Sequence, residues 1–351
     1  MTSPVEAPGD RAAARLAWAR QVLGNDRLGL APASADASAR SYWRAQDGDR
    51  SWIVMDSPPA QEDPRPWLAI DRRLAAAGLH VPEVHAHDLQ RGFLLIEDLG
   101  SGTYLDLLDD TSVDALYGAA LQALLRMQTA VEARDLPAYD RAFLTTELEL
   151  MPEWFLRRHL GCTPSCEEWD ILENAFTILL QAALEQPRCF VHRDYHSRNL
   201  LAVDAGADPA ADAPWQNPGI IDFQGAMHGP ITYDLVSLLR DCYIAWDERR
   251  VEAWAEGYRR RLLETPRGAG IPDQARFLRW FDLMGLQRHV KILGIFCRLH
   301  YRDGKSGYLG DLPRVHRYVD AVAGRHPELQ AFASLLRRYV GGRDLGAIAG
   351  R

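Results

Sequence analysis

The stretch FVHRDYHSRNLL, residues 190–201, says more about the fold of this 351-residue chain than any other. Two histidines, two arginines, an aspartate and an asparagine lie between apolar ends, which is too polar for a core and too apolar for a free surface loop. The stretch fits the spacing H-R-D-x-x-x-x-N, in which four residues separate Asp194 from Asn199. Asp222 stands downstream, directly after GII (219–221), a run typical of a buried strand. The order and spacing of these three polar residues predict a shared functional site.

The composition is that of an ordinary globular protein and argues against several classes of function. Hydrophobic residues make up 47% of the chain and charged residues 25%, and the length suits two lobes or domains. A formal net charge of −8 and a pI near 5.8 argue against nucleic-acid binding. No apolar run is long enough to span a bilayer and the N-terminus has no signal core, so we expect a cytoplasmic protein. Five cysteines without the spacing of a zinc site indicate reduced thiols.

The pattern of apolar residues predicts an α+β protein with two lobes. Residues 1–98 mix helix and strand signals and form the expected small N-lobe, and residues 99–351 form a larger, mainly helical C-lobe. Strands are predicted at 41–46, 50–56 and 93–100, with a tight turn at 47–49. Helices are predicted at 11–24, 65–79, 112–130, 144–160, 167–185, 232–243, 248–264, 273–300 and 314–340. Residues 203–219, rich in Ala, Asp and Pro, are expected to form a mobile surface insertion.

The three polar residues have a common chemical use. A carboxylate at Asp194 can accept a hydrogen bond from an attacking hydroxyl group and orient it. Asn199 and Asp222 offer oxygen ligands, which Mg²⁺ prefers while it keeps further positions for phosphates. A metal ion held in this way offsets charge on the phosphates during phosphoryl transfer. The sequence therefore predicts a phosphoryl-transfer site.

These motifs resemble those of the protein-kinase-like superfamily, and more narrowly of its aminoglycoside phosphotransferase and choline kinase branch. The resemblance implies a bilobal fold that binds ATP and Mg²⁺. By the same resemblance, Asp194 is the catalytic base, and Asn199 and Asp222 are the metal ligands. Glu97 to Leu99, in LIEDLG, would be the hinge that bonds adenine through its backbone. His192 and Asp234 would have structural roles, with Asp234 bracing the catalytic loop; alternatively, Asp234 is simply an acid at a helix N-terminus.

The nucleotide-binding half departs from the superfamily pattern. ASADASARSYWRA (33–45) contains no glycine where a Gly-rich loop is expected, although its small residues could let backbone amides approach phosphates. SWIVMDSPP (51–59) has no lysine, and Met55 or Asp56 occupies the expected place. Either another cation, Arg40 or Arg44, serves the phosphates instead, or Mg²⁺ carries more of the charge. The residues expected to contact the nucleotide are Ser41, Arg44, Met55, Glu97 and Leu99.

Two features favour a small-molecule acceptor over a protein substrate. Protein kinases usually carry lysine two residues after the catalytic aspartate, whereas here that position is His196, as in small-molecule kinases. Eleven residues separate Asp222 from Asp234, which leaves no room for a long activation segment. We therefore expect no peptide docking platform and no protein substrate.

Two stretches narrow the resemblance to one subgroup, the bacterial anomeric N-acetylmuramate/N-acetylglucosamine kinases of peptidoglycan recycling. They are GLQRHVKILGIFCRLHYRDGKSGYLGDLP (285–313) and VMDSPP. This resemblance, over about residues 40–320, implies ATP-dependent phosphorylation of the C1 hydroxyl of an amino sugar. The lactyl carboxylate of N-acetylmuramate would favour a cationic pocket. The residues expected to contact the sugar are His196, Glu149, Glu153, Trp154, Arg288, His289 and Lys291. For the last three, a solvated helix face is the competing interpretation, and for Glu149, Glu153 and Trp154 a helix with a packed tryptophan.

Two other functions stay open at this point. A protein of the same fold could phosphorylate an aminoglycoside or a choline-like cation. Such acceptors require an acidic pocket, whereas residues 285–313 are basic. The chain could also be an inactive pseudokinase or nucleotide-binding scaffold, as the missing Gly-rich loop and lysine suggest. The complete set of Asp194, Asn199 and Asp222 argues against a scaffold, which would not need all three.

Overall fold

The computed structural model describes residues 8–35, 39–203 and 218–347, and it confirms the α+β class. The chain divides into two compact units, Met1–Leu107 with Leu200–Gln224, and Leu108–Asn199 with Gly225–Arg351. The boundary between lobes expected after residue 98 stays a prediction. Most of the insertion expected at 203–219 lies outside the described residues. Among the residues that are described, no helix is long and apolar enough to cross a membrane.

The first unit is built on a five-stranded antiparallel sheet in the order β1-β2-β3-β5-β4. Its elements up to residue 107 are α1 (Pro8–Leu23), β1 (Leu30–Ala35), β2 (Ser41–Asp47), β3 (Arg50–Asp56), α2 (Arg65–Ala76), β4 (Val84–Asp88), β5 (Phe93–Glu97) and α3 (Tyr104–Leu107). The tight turn between β2 and β3 forms as predicted, because Gly48 takes the left-handed conformation at φ 59° that the turn needs. The sequence did not predict β1 and β4, whose residues LAPASA and VHAHD are poor in the β-branched and aromatic residues that strands favour.

Helix α1 packs on the sheet of the first unit. Trp18 and Ala19 of α1 are buried with Val54, Phe93 and other strand residues, and the rings of Trp18 and Phe93 lie 5.7 Å apart. Burying side chains of this size contributes on the order of 2 kcal/mol each. The core therefore fixes the sheet whose strands β2, β3 and β5 carry predicted nucleotide-binding residues.

The second unit begins with four helical segments and a strand: α4 (Val113–Ala130), α5 (Arg141–Leu148), a π-helix (Met151–His159), α6 (Cys166–Leu184) and β6 (Arg188–Val191). The chain then enters the first unit, where β7 (Leu200–Leu201) pairs with β8 (Gly219–Ile220). The helix predicted at 144–160 is therefore two elements, α5 followed by the π-helix. Ser165 and Glu168 form a reciprocal capping box that starts α6.

The rest of the second unit is helical apart from one strand. Its elements are β9 (Met227–Pro230), α7 (Tyr233–Leu239), α8 (Glu248–Leu263), α9 (Gln274–Tyr301), α10 (Leu312–Arg325) and α11 (Gln330–Val340). Strand β9 pairs antiparallel with β6. The helix predicted at 314–340 is broken at Pro327, because proline cannot continue the helical hydrogen bonds. Gly294 lets α9 pass close to the backbone of Leu150, because a Cβ at position 294 would lie 2.4 Å from the carbonyl carbon of Leu150.

Candidate active site

The loop between β6 and β7 carries the H-R-D motif, and a buried aspartate holds its backbone. The side chain of Asp234, at the start of α7, accepts hydrogen bonds from the backbone N–H of His192 at 2.7 Å and of Arg193 at 3.0 Å. Arg193 has a φ of 79°, a left-handed conformation that costs roughly 1 kcal/mol in a non-glycine residue. Burial raises the pKa of Asp234 to about 7, and the two N–H donors oppose this rise. Two hydrogen bonds to the Asp234 carboxylate therefore hold the loop in a conformation that Arg193 disfavours.

Within the loop, the motif residues are bonded to one another. The Asn199 side-chain Nδ2 donates to the carbonyl oxygen of Asp194 at 2.9 Å, and the backbone N–H of His196 donates to the same oxygen at 3.1 Å. His192 is fully buried, and its Nδ1 accepts from the backbone N–H of Asp194 at 3.3 Å. The four residues between Asp194 and Asn199 thus make one turn that closes on itself. This closed turn explains why the spacing between Asp194 and Asn199 is a useful signal in the sequence.

The carboxylate of Asp194 stands among positive charges contributed by the second unit. Burial alone would raise its pKa, but Lys291 in first place, then His196 and Arg288, lower the pKa below its ordinary value. Asp194 is therefore ionised at neutral pH. An ionised carboxylate at this position can accept a hydrogen bond, and finally a proton, from a hydroxyl group.

A buried acid next to these cations was missed by the sequence analysis. Glu147, near the end of α5, accepts from Arg193 at 2.9 Å, pairs with Lys291 at 3.1 Å and accepts from the hydroxyl of Tyr139. Burial would raise the pKa of Glu147, but Lys291 and Arg193 lower it. Glu147 thus balances the charge of two cations that act on Asp194. No motif signals this role, because the partners lie 46 and 144 residues away in the sequence.

The three basic residues expected to contact the sugar occupy different surroundings. Lys291 is committed to Glu147 and to the hydroxyl of Tyr233, at 2.7 Å. His289 is fully buried, bonds the carbonyl oxygen of Arg240 at 2.9 Å, and has its pKa lowered to about 3 by burial. Arg288 is almost fully buried, and its Nε has no hydrogen-bond partner. Arg288 therefore retains an uncommitted donor, whereas His289 is a neutral packing residue.

The remaining candidates for sugar contact are His196 in the loop and three residues near the start of the π-helix. His196 is buried with its ring edge against Tyr243 at 5.3 Å, and its Nδ1 has no partner. Glu149 is exposed at the end of α5. Glu153 is paired with Arg157 and with Arg158, at 3.4 Å for the latter. The half-buried ring of Trp154 lies under Arg158 at 5.4 Å, and the roles of these four residues stay predictions.

In the first unit, Asp222 follows β8 and also has a left-handed backbone, at φ 63°. Its Oδ1 accepts from the Gln224 side chain at 2.7 Å and lies 3.5 Å from the guanidinium of Arg40. The Phe223 ring packs against Trp67 of α2, with centroids 5.0 Å apart. A buried aromatic anchor thus fixes the backbone while the Asp222 carboxylate remains partly exposed.

The predicted nucleotide-binding residues lie on β2, β3 and β5 or shortly after β5. Arg44 of β2 is bonded to Asp98 at 2.6 Å, and Met55 of β3 is fully buried. The Ser41 hydroxyl accepts from the indole N–H of Trp43 at 2.9 Å. Glu97 gives its backbone N–H to the Glu83 carbonyl at 2.8 Å, and Leu99 is buried. None of these contacts tests nucleotide binding, so their roles stay predictions.

Comparison with known proteins identifies the family. A model described as "Phosphotransferase enzyme family" matches residues 29–281. The chain belongs to this family. The phosphotransferase is 48% identical, over 88% of its length, to an N-acetylmuramate/N-acetylglucosamine kinase of Pseudomonas aeruginosa, of which 87% is covered. It is 37% identical to the protein of that name in Neisseria meningitidis, with 93% and 96% of the two chains covered. The resemblance inferred from the motifs is confirmed.

The fold of the phosphotransferase is shared with solved structures of low sequence identity. A choline kinase from Streptococcus pneumoniae matches with a TM-score of 0.59 and 13% identity, over 89% of this chain and 99% of that one. An ADP-bound aminoglycoside phosphotransferase matches with a TM-score of 0.57 and 13% identity, over 92% and 98%. These similarities confirm the protein-kinase-like fold.

Proposed function

We propose that this phosphotransferase transfers the γ-phosphoryl group of ATP to the C1 hydroxyl of N-acetylmuramate or N-acetylglucosamine and yields the sugar 1-phosphate. The observation that carries the proposal is the ionised Asp194 in a loop braced by Asp234, with cations around it. The names of relatives that match over most of the chain support the choice of acceptor. Because ATP is the donor, we place the reaction in the cytoplasm.

Asp194 acts on the acceptor hydroxyl. The anomeric hydroxyl is more acidic than an ordinary alcohol, because the ring oxygen withdraws electron density. Asp194 accepts a hydrogen bond from this hydroxyl and takes its proton as the oxygen attacks the γ-phosphorus. A bond forms between O1 of the sugar and phosphorus, the bond between phosphorus and the bridging oxygen breaks, and ADP leaves. A carboxylate with a lowered pKa is a weak base, so its main task is orientation, with proton transfer late in the step.

Each of the two residues proposed for the metal has a side chain of the type that suits a magnesium ion. Asn199 and Asp222 supply amide and carboxylate oxygens, the ligand type that Mg²⁺ prefers. The bond from Asn199 Nδ2 to the Asp194 carbonyl leaves the amide oxygen as the remaining acceptor of that side chain. When bound, Mg²⁺ offsets negative charge on the phosphates. We therefore assign these two residues to the metal.

The charges of the second unit favour an anionic or neutral acceptor over a cationic one. Lys291 and Arg288 lower the pKa of Asp194, and a cationic acceptor would be repelled by the same two charges. Arg288, with an uncommitted Nε, is our candidate for the lactyl carboxylate of N-acetylmuramate. N-acetylglucosamine lacks this carboxylate, so it would gain nothing from the contact.

The proposal is tested by turnover with a panel of acceptors. The panel contains N-acetylmuramate, N-acetylglucosamine, kanamycin and choline, each with ATP and Mg²⁺. We expect ADP release with the two amino sugars only, and a ³¹P signal of the product that couples to the C1 proton. Asp194→Asn should lower kcat by about 10²- to 10⁴-fold. Asp273→Asn, the same chemical change at the N-cap of α9, is the matched control and should keep wild-type turnover.

Turnover with kanamycin or choline alone would refute the acceptor. A normal kcat in Asp194→Asn would refute the mechanism. The absence of turnover with every acceptor would leave the pseudokinase interpretation standing.

A further inference from the structure

The loop between β6 and β7 carries a second arginine, which takes no part in the contacts that brace the loop. Arg198 occupies one of the four open positions between Asp194 and Asn199 in the H-R-D-x-x-x-x-N motif. Its side chain is exposed, and no carboxylate in the described part of the chain forms an ion pair with it. Arg193, by contrast, is paired with Glu147 at 2.9 Å. Arg198 therefore brings to the loop a positive charge that no described acid neutralises.

An aromatic ring orients the guanidinium group of Arg198. Its Cζ lies 3.6 Å from the centroid of the Tyr243 ring, which is too close for any arrangement but a parallel stack. A stacked guanidinium covers the ring with its face, so the N–H donors, which lie in its plane, stay directed outward. The stack thus fixes the side chain before a ligand arrives, and this lowers the entropic cost of binding.

One buried carboxylate holds both halves of this stack. Asp241, which is 1% exposed, accepts hydrogen bonds from the backbone N–H and the hydroxyl of Ser197, at 2.9 and 2.5 Å. Its other oxygen accepts from the backbone N–H of Tyr243 at 2.9 Å. Because Ser197 directly precedes Arg198, Asp241 anchors the arginine and the ring from below. Its own oxygens are committed to these donors, so the guanidinium is left for another anion.

Arg198 and Arg288 lie on different sides of one residue of the predicted sugar site, His196. The His196 ring stands edge-on to Tyr243 at 5.3 Å, and the same Tyr243 ring carries Arg198. Burial lowers the pKa of His196, and the charges of Arg288 and Arg198 lower it further. Arg288 is 2% exposed, whereas Arg198 is exposed. An anion that enters beside His196 therefore meets Arg198 on the solvent side before it reaches Arg288.

We propose that Arg198 binds the carboxylate of N-acetylmuramate, together with Arg288, and thereby sets the preference for this sugar over N-acetylglucosamine. The inference rests on the proposed function, because it takes the acceptor site beside Asp194 as given. The lactyl ether is attached at C3, so its carboxylate lies about one ring width away from the C1 hydroxyl. A cation four residues beyond Asp194 on the same closed turn suits a contact at this distance. Arginine is always charged and can give two parallel bonds to a carboxylate.

The test compares two acceptors that differ in the lactyl group. Arg198→Gln should raise KM for N-acetylmuramate by about 10- to 100-fold, the effect of losing a charge-assisted bond, and leave kcat unchanged. KM for N-acetylglucosamine should stay within about 3-fold of wild type. Arg198→Lys keeps the charge but loses the planar fork, so it should recover part of the loss. Arg276→Gln, which removes an exposed arginine 5.3 Å from the Trp280 ring, is the matched control and should change neither KM.

A modified substrate separates a direct contact from a change in the shape of the loop. The methyl ester of N-acetylmuramate keeps the lactyl group but removes its negative charge. Wild type should have a higher KM for the ester than for the acid, by about the factor that Arg198→Gln costs with the acid. The ester should lose nothing further in Arg198→Gln, because both changes remove the same contact. The Kd of ADP, measured by calorimetry, should be the same in Arg198→Gln and wild type.

Three results would overturn the role of Arg198. Equal losses for both sugars in Arg198→Gln would show a structural role for the side chain. An unchanged KM for N-acetylmuramate would exclude the contact. Weaker ADP binding in Arg198→Gln would assign the arginine to a phosphate of the nucleotide and not to the acceptor.

The two proposals fail in distinguishable ways. Sugar turnover in wild type with the same KM values in Arg198→Gln refutes the role of Arg198 alone, as does turnover of N-acetylglucosamine but not of N-acetylmuramate. If wild type turns over neither sugar, calorimetry with N-acetylmuramate decides. Weaker binding in Arg198→Gln then supports Arg198 and refutes the phosphorylation, and no binding by wild type refutes both.

Discussion

The loop at 192–199 and the strands at 41–56, which we assign to the acceptor and to the nucleotide, differ in how many of the expected motif residues they contain. The loop keeps every residue of its motif, and its backbone is held by Asp234 and by bonds to the Asp194 carbonyl. The strands contain no lysine, and among the described residues Arg40 forms an ion pair with Asp222 at 3.5 Å. The loop therefore matches the superfamily motif position by position, whereas the strands do not.

The difference follows from what each group must provide. A general base has to meet one hydroxyl at a defined distance and angle, and a misplacement of about 1 Å can cost 10²-fold in rate. A positive charge acts over several ångströms, and a long side chain can deliver it from more than one backbone position. We therefore expect changes to the loop to affect kcat strongly and changes to the first unit to affect ADP affinity or stability.

The largest effect in this comparison is expected for Asp234→Asn. The amide offers one acceptor and one donor, so either His192 or Arg193 faces an N–H group instead of a carboxylate oxygen. The loop should shift, kcat should fall by about 10²-fold, and the free energy of unfolding should fall by about 1–3 kcal/mol. Steady-state kinetics and urea unfolding measure both. A wild-type kcat in this variant would show that the brace is dispensable.

A smaller effect is expected for Lys291→Met. Lys291 is the first of the charges that lower the pKa of Asp194, so its removal should raise that pKa. The acidic limb of the pH profile of kcat/KM should then move to higher pH, so that the loss in kcat/KM relative to wild type grows as the pH falls.

The control for Lys291→Met is the double variant Glu147→Gln/Lys291→Met. It removes both members of the Glu147–Lys291 pair, and Arg193 also loses its ion pair with Glu147. The acidic limb should stay shifted in the double variant. An unshifted limb in both variants would show that Lys291 does not act on Asp194. If Lys291 bound the sugar carboxylate directly, KM for N-acetylmuramate would rise and KM for N-acetylglucosamine would not.

The smallest effect, on stability alone, is expected in the first unit for Asp71→Asn. Asp71 of α2 is 5% exposed, its Oδ1 has no partner, and burial raises its pKa to about 7. The folded state therefore holds a proton between about pH 4 and pH 7 that the unfolded state has released, so stability falls as pH rises through this window. Asp71→Asn should be more stable than wild type at pH 8 by about 1–3 kcal/mol, and equal to it near pH 4.

Thermal unfolding of Asp71→Asn and wild type at pH 4 and pH 8 tests this expectation. A comparison of kcat at pH 8 checks that the effect is on stability alone. Asp63→Asn, an exposed acid before α2, is the matched control and should change little. Equal stability of Asp71→Asn and wild type at both pH values would show that Asp71 does not carry a buried charge.

The fold and the loop were predictable because their signals are local. Apolar periodicity located β2, β3, β5 and most helices, and four residues between Asp194 and Asn199 are one closed turn. The break in the helix predicted at 314–340 was missed although Pro327 is in the sequence, because the apolar pattern continues on both sides. The π-helix after α5 carries no signal in that pattern.

The surroundings of the predicted residues could not be inferred from local signals in the sequence. Arg288, His289 and Lys291 were grouped by adjacency, yet one retains an uncommitted donor, one is a neutral packing residue and one is paired with Glu147. On a helix, residues one and two positions apart face different directions, so His289 meets other partners than Arg288 and Lys291, which are three positions apart and share a face. Arg40 and Arg44 likewise looked equivalent until their acids were known.

The sequence by itself determined the family, the α+β class and the order of the catalytic groups, because these follow from short spacings and from residue type. Only the tertiary structure decided which charges surround Asp194, that Glu147 balances them, and that Arg40 rather than Arg44 lies beside Asp222. Electrostatic effects depend on distance in space and on burial. Neither quantity can be read from positions along the chain when the partners are 40 to 180 residues apart.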